Sequence, residues 1–257
     1  MPEHNIIINP ELCVSCGLCV NDCPDRVLTM SETSANYNGE YCVKCGHCVA
    51  ICPQNAVSMS GYDDLPEEIA LPNSVNPDAL LAMIKSRRSM RQFTDKDVSH
   101  DAIAKVIEAG RYTPTGGNRQ DVSYVVFKDK IGECEKFALD VVRKMQPALA
   151  KVIPYMKNLV ISDNFLFKGA PVAIVIKSGD MINGALAASM MEIMAQSLGL
   201  GVLYSGFFTM AIRESEELKQ MVDLSEREQI VTTLVIGNPA VKYVRTAQRD
   251  TAKVIYK

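Results

Sequence analysis

CVSCGLCVNDCP, residues 13–24, returns 29 residues later as CVKCGHCVAICP, residues 42–53. The two copies take eight of the chain's nine cysteines, and both have the spacing C-x2-C-x2-C-x3-C-P. Each is followed by a short apolar segment, VLTM at 27–30 and AVSM at 56–59, so residues 1–60 read as an internal repeat. A unit this small has little core of its own, and its stability is expected to depend on what the thiols bind.

Three cysteines on one tight loop, with a fourth from elsewhere, place four thiolates around a cubane of iron and sulfide. In chains with two such runs, the fourth cysteine of each copy serves the other copy's cluster. The expectation is therefore two [4Fe–4S] clusters. One is held by Cys13, Cys16, Cys19 and Cys52, the other by Cys42, Cys45, Cys48 and Cys23. Gly17 and Gly46 let the backbone bend closely around the clusters, and Pro24 and Pro53 hold the chain after the fourth ligand. Zinc sites generally use two ligand pairs across a long gap rather than such a triplet. His47, between Cys45 and Cys48, has no other histidine near it in sequence. Residues 5–60 resemble bacterial two-cluster ferredoxins, which implies low-potential clusters passing one electron at a time. The ninth cysteine, Cys134, reads as an inert structural thiol.

The chain has 257 residues, which allows one large domain or two unequal ones. A net charge of −3 and a pI near 5.7 give no basic footprint for nucleic acid. The apolar runs are broken before 18 residues, so no membrane span is expected. The N-terminus, MPEHNIIINPELC, lacks a basic region followed by a long apolar one, so no secretory signal is expected. These features describe a soluble, cytoplasmic protein in which clustered cysteines bind metal rather than form disulfides.

Charge and cysteine content divide the chain. Residues 1–60 carry a net −4, the remainder a net +1. Between the two runs GYDDLPEEIALPNSVNPD (61–78), with prolines at 66, 72 and 77. This gives a domain at 1–60, a linker at 61–77 and a larger domain at 78–257. In the larger part, helical periodicity predicts helices over 78–88 and 100–112. VSYVVF (122–127), PVAIVIK (171–177) and IVTTLVIG (230–237) predict buried strands. GALAASMMEIMAQSLGLG (184–201) predicts a long helix ending at Gly199 and Gly201. Apolar nearly all round, it suits burial against other protein, either a second subunit or the core of a monomer.

No G-x-G-x-x-G follows a strand, and AGRYTPTGGNRQ (109–120) lacks the GK[ST] of a P-loop. Three other segments carry chemistry. RRSMRQF (87–93) offers guanidiniums and a hydroxyl that can clamp a phosphate. PTGGNRQ (114–120) is a polar turn in which glycines permit close approach to a planar ligand. LGLGVLYSGFF (198–208) places small residues and backbone N–H groups after the long helix. Singly, the first is also a solvated basic turn, and the third a helix C-cap followed by a buried strand.

In this order, residues 76–250 resemble the nitroreductase family of FMN flavoproteins. The resemblance implies an α+β fold: a small ferredoxin-like domain followed by a flavin domain with a central, mainly antiparallel sheet surrounded by helices. It assigns the FMN phosphate to Arg87, Arg88 and Ser89, with Arg91 assisting. It implies a homodimer with FMN at the interface, the turn of Pro114, Thr115, Gly116, Asn118 and Gln120 coming from the other subunit. Tyr204, Ser205 and Gly206 would line the isoalloxazine. A basic residue near the C-terminus would reach the phosphate; Arg245 is the first choice, with Lys242 and Arg249 as competitors. One more ring contact is expected from Asn158, Asn164 or Lys168. The chain departs from many relatives in having Asp121-Val122 after Gln120, Tyr204 where ferredoxin-fused relatives have tryptophan, and no tryptophan at all.

FMN converts between single electrons and pairs, so the favoured function is an FMN oxidoreductase reducing nitroaromatic or quinone-like acceptors. Electrons would come from the two clusters, from NAD(P)H, or from both. No histidine or cysteine near the motifs reads as an obligatory general acid, and the catalytic residues stay unassigned. The alternatives are a module relaying electrons to a protein partner, whose acidic domain suits a basic surface, and another reaction on the same scaffold, such as dehydrogenation or dehalogenation.

Overall fold

A computed structural model describes residues 4–39, 41–62, 64–69 and 75–257. It contains two compact units: residues 1–74 together with 116–119, and residues 75–115 together with 120–257. Of the expected linker, residues 63 and 70–74 lie outside the described residues.

In the first unit the sequence repeat is also a repeat of backbone. Strand β1 (Ile6–Ile8) precedes the first cysteine loop, which enters the four-residue helix α1 (Leu18–Asn21). Strands β2 (Leu28–Met30) and β3 (Ala35–Tyr37) form an antiparallel pair. The second loop enters α2 (His47–Ala50), and β4 (Val57–Met59) returns to pair with β1. Gly17 and Gly46 both have φ 73°, a left-handed conformation that only glycine adopts at no cost. Ser15 and Lys44, then Arg26 and Asn55, repeat positive φ at matching places in the two copies. The small core is Ile6, Leu28, Ala35 and Val57, with Cys19 and Cys48 buried among them.

The second unit begins with α3 (Pro77–Ser86), capped by the Asn76 side chain, which accepts from the N–H groups of Asp78 and Ala79. Helix α4 (His100–Arg111) is capped by Ser99. Strand β5 (Val122–Phe127) is followed by the 22-residue α5 (Ile131–Val152) and by β6 (Val172–Ser178). Helix α6 (Met181–Ser197), capped by Asp180, leads into β7 (Gly201–Tyr204), α7 (Gly206–Glu214), α8 (Glu216–Met221) and β8 (Gln229–Gly237). The sheet order is β5-β6-β8-β7, with every pairing antiparallel. Among the described residues, no helix is long and apolar enough to cross a membrane.

Period-two alternation on β6 divides the core. Ala173 and Val175 join Phe167, Leu139 and Phe208 on the face of α5 and α7. Val172, Ile174 and Ile176 join Val106, Met191 and Leu234 on the face of α4 and α6. All five β6 residues are fully buried, and each large one contributes about 1.5–3 kcal/mol by leaving water.

Three differences from the sequence expectations have physical causes. The first helix stops at Ser86, so the Arg-Arg-Ser segment is extended, and Ser89 and Met90 run beside Val202 at the edge of β7. The long helix stops at Ser197, and Gly201 begins a strand, where a side chain would meet Met90 Cγ at 2.7 Å. Helix α5 had no sequence prediction. Its buried stripe of Cys134, Ala138, Leu139 and Val142 lies between charges, and it contains Pro147.

Candidate cofactor sites

The eight cysteines of the repeat surround two cavities. One is lined by Cys13, Cys16, Cys19 and Cys52, the other by Cys23, Cys42, Cys45 and Cys48. Each thus receives a triplet from one loop and the fourth cysteine of the other copy. All eight are free thiols. Burial pushes the thiols of Cys19 and Cys42 up, and that of Cys48 to about 11. At Cys42 the N–H of Lys44 opposes this and the Asp25 carboxylate adds to it. Binding a metal group therefore means displacing protons from buried sulfur. Backbone donors already address the sulfurs: Ala56 N–H lies 3.2 Å from Cys52 Sγ, and Lys44 N–H 3.3 Å from Cys42 Sγ. Among the described residues, no group of three or more His, Cys, Asp or Glu is placed to hold a single metal ion. Four thiols spaced about an apolar cavity suit a polynuclear guest, and the donor set fits a [4Fe–4S] cluster.

The two loops are held differently. Ser15 Oγ of the first donates to Thr33 O at 2.7 Å. In the second, Val43 N–H donates to the Asp25 carboxylate at 2.6 Å. The carboxamide of Asn118 donates to Val43 O at 3.1 Å and Lys44 O at 2.7 Å. Residues 116–119 belong to the first unit, so the structure takes Asn118, expected beside a flavin, to a cysteine loop.

In the second unit, a cleft of about 210 Å³ is lined by Arg87, Arg88, Glu192, Gln196, Lys242 and the Gly199–Val202 segment. Arg87 and Arg88 reach it because the chain leaves α3 extended and runs beside β7. Lys242 reaches it because Ala240 N–H bonds to Gln92 O. Arg87 Nη1 donates to Glu192 Oε1 at 2.8 Å, and the Tyr204 hydroxyl lies 3.2 Å from Glu192 Oε2 and from Ala188 O. Burial raises the Tyr204 pKa, and the Glu192 charge raises it further. Arg88 Nη1 turns back onto the carbonyls of Arg87 and Lys85. Three cations in one cleft suit a phosphate, and the Glu192 pair uses one nitrogen of the Arg87 fork. The residues present therefore fit the phosphate end of FMN.

Glu192 escaped the sequence reading; its signal is a single carboxylate in the apolar run AASMMEIMA. Arg245 and Arg249 lie exposed after the last strand and do not line the cleft, whereas Lys242 does. Arg91 is exposed, and its charge, after burial, lowers the pKa of Lys168. Lys168, at φ 57°, sits over the Phe165 ring at 4.5 Å. Asn164 accepts from Ser162 Oγ, and Asn158 is exposed. Ser205 is buried; its hydroxyl donates to Leu166 O and its N–H to Thr233 O. The N–H groups of Gly206, Phe207 and Phe208 open α7 ahead of its first intrahelical bond, which runs from Thr209 N–H to Ser205 O. Pro114 and Thr115 lead into the turn, and Thr115 Oγ1 accepts from Gln120 N–H at 2.9 Å.

Residues 84–238 match the sequence profile of the Nitroreductase family, and residues 5–53 match that of the 4Fe-4S dicluster domain. An NADPH-dependent oxidoreductase of Staphylococcus haemolyticus is 25% identical over 176 residues, spanning 63% of this chain and 66% of that one. The crystal structure of a nitroreductase with bound FMN from Desulfitobacterium hafniense superposes with a TM-score of 0.56 at 21% identity, over 69% of this chain and 97% of that one. Iodotyrosine deiodinase bound to FMN and 3-iodo-L-tyrosine gives 0.55 at 16% identity, over 69% and 98%. At these identities the structural likeness speaks for the fold alone, and one fold serves more than one reaction.

Proposed function

This chain belongs to the nitroreductase family, with a 4Fe-4S dicluster domain before the flavin-type fold, and we propose that it is a cytoplasmic, homodimeric FMN oxidoreductase. It reduces nitroaromatic or quinone-like acceptors with electrons exchanged through two [4Fe–4S] clusters. The observation that carries the reading is the pairing of two four-thiol cavities with a cationic cleft on one chain. FMN, when bound, takes up electrons singly and delivers them in pairs. This chain's residues hold it. Arg87, Arg88 and Lys242 take the phosphate, Glu192 fixes the fork of Arg87, and the N–H groups opening α7 face the ring. Residues 61–77, which run from the repeat to the first residue of α3, serve as the linker.

Support for the dimer comes from α6. Its inner face is Ala187, Ala188, Met191 and Ala195, yet Ile182, Leu186 and Met190 on the other face are exposed. An apolar stripe on a helix is covered by protein, and a second copy supplies it.

The test is an anaerobic titration with NADH and then NADPH, followed in the visible. Bleaching of a flavin band by either places hydride transfer at FMN. Bleaching only by a reduced low-potential ferredoxin makes the clusters the intake. A purified protein with neither iron nor flavin would refute the proposal.

A further inference from the structure

We propose that the first cluster site, that of Cys13, Cys16, Cys19 and Cys52, is where the chain meets an external redox protein, a one-electron carrier with a basic, partly apolar face. This rests on reading the eight cysteines as cluster ligands.

The repeat provides an internal comparison, because each residue of the first loop has a counterpart in the second. Around the first cavity Leu12, Val14, Leu18 and Met30 are all exposed, Val14 at 61%. Their counterparts are Tyr41, Val43, His47 and Met59. Tyr41 is exposed, but Val43 and Met59 are half-buried and His47 is polar. Cys16 is exposed, whereas its counterpart Cys45 is not. The difference follows from the contacts. The outer carbonyls of the second loop are taken by Asn118 and by the Tyr62 hydroxyl, 3.3 Å from Lys44 O.

The rim of the first site is also acidic. Glu11 is exposed beside Leu12. Glu32 is exposed in the turn that Ser15 ties to the first loop through Thr33 O. The only basic residues of positions 1–60 are Arg26 and Lys44, and Lys44 belongs to the second loop. An exposed apolar ring bordered by carboxylates selects a partner of opposite charge: the apolar centre gives contact, and the charges steer the encounter. Each encounter moves one electron, oxidising one partner and reducing the other, with no bond made and no proton moved.

The experiment uses the holoprotein, its iron first verified, reduced anaerobically with stoichiometric dithionite. It is mixed in stopped flow with oxidised cytochrome c, a basic one-electron acceptor, and separately with benzoquinone, a small neutral one. The rate with cytochrome c is expected to fall steeply with salt. At low salt the Glu11→Lys/Glu32→Lys variant should be at least tenfold slower, with a flattened salt dependence. Leu12→Ser should be slower with the salt dependence kept, and Tyr41→Ser unchanged. The benzoquinone rate should be the same in all. An unaltered cytochrome c rate in the charge-reversed protein, or equal slowing by Tyr41→Ser, would overturn the proposal. So would self-association abolished by Leu12→Ser, since a second copy would then be the occupant. An iron-free wild type would overturn the cluster reading itself, and the iron assay separates that failure from the others.

Discussion

Arg87→Ala tests two roles at once, and a second substitution separates them. Arg87 Nη1 lies 2.8 Å from Glu192 Oε1, with side-chain exposures of 37% and 8%. Removing one partner of a buried ion pair costs about 3–5 kcal/mol, because the other charge is left uncompensated. The arginine here is more than a third in solvent, and screening brings the expectation down to about 2 kcal/mol. For a unit of this size, 1 kcal/mol moves the midpoint by about 2–4 °C, so a fall of about 4–8 °C is expected by circular dichroism. The same guanidinium is assigned to the FMN phosphate. A charge-assisted hydrogen bond contributes about 1.5–3 kcal/mol, which is roughly a ten- to hundredfold weaker Kd by fluorescence titration of the flavin. In Arg87→Ala/Glu192→Gln the stranded carboxylate is gone and the Tyr204 hydroxyl keeps an acceptor. Thermal stability should return and flavin affinity should not. If the double variant stays as unstable as the single one, Glu192 carries no uncompensated charge. If stability and affinity return together, Arg87 does not bind the phosphate.

Four further outcomes are expected. Cys16→Ser should remove about one cluster's worth of iron and leave FMN bound, by iron and flavin analysis; zinc in place of iron would overturn the cluster reading. Lys242→Ala should weaken flavin binding more than Arg245→Ala, because only Lys242 lines the cleft; the reverse order in the titration would reinstate Arg245. Leu186→Glu should shift the protein to a monomer in sedimentation velocity. Glu228 has its pKa lowered: burial opposes this, but hydrogen bonds from Ser123 and Ser225 and the charge of Lys177 outweigh it. A depressed carboxyl stabilises the fold above its unfolded value of about 4.3, and this is lost as pH falls through the folded value. Glu228→Gln should therefore be less stable than wild type at pH 7, and the gap in denaturant midpoint should close as pH falls below about 4; a constant gap would contradict the assignment.

Where a pattern is local, the sequence carried it. The β-branched run VSYVVF became β5 over the residues expected, and the hydrophobic period of α4 ended within one residue of its predicted bound. Cysteine spacing led directly to the two four-thiol cavities, since the thiols' positions depend on the loops themselves. Helix α5 was not legible because its apolar stripe is interleaved with charge and its buried Glu135 accepts from the N–H groups of Leu166 and Phe167, some thirty residues on. Glu192 was hidden for the same reason: what makes a carboxylate tolerable in an apolar helix is an arginine 105 positions away.

Equal spacing did not make equal surroundings. Both copies of the repeat fix φ at the same places, so the inner geometry of the two loops is set by their own glycines and cysteines. What lies outside each loop comes from elsewhere. Asp25 bonds the second loop, while Gln54 takes the matching place in the repeat and lines the first cavity. Asn118 reaches back 75 residues to Val43, whereas Val14 is left exposed among the described residues. A neutral amide in place of a carboxylate removes a negative charge that favours the more oxidised state of a neighbouring redox centre. Two clusters with the same ligand spacing are thus expected to differ in potential as well as in access. The Asp25→Asn variant tests this: an EPR-monitored redox titration should show the second cluster easier to reduce and the first unmoved. A parallel shift of both would mean that the charge acts on the whole unit rather than on one loop.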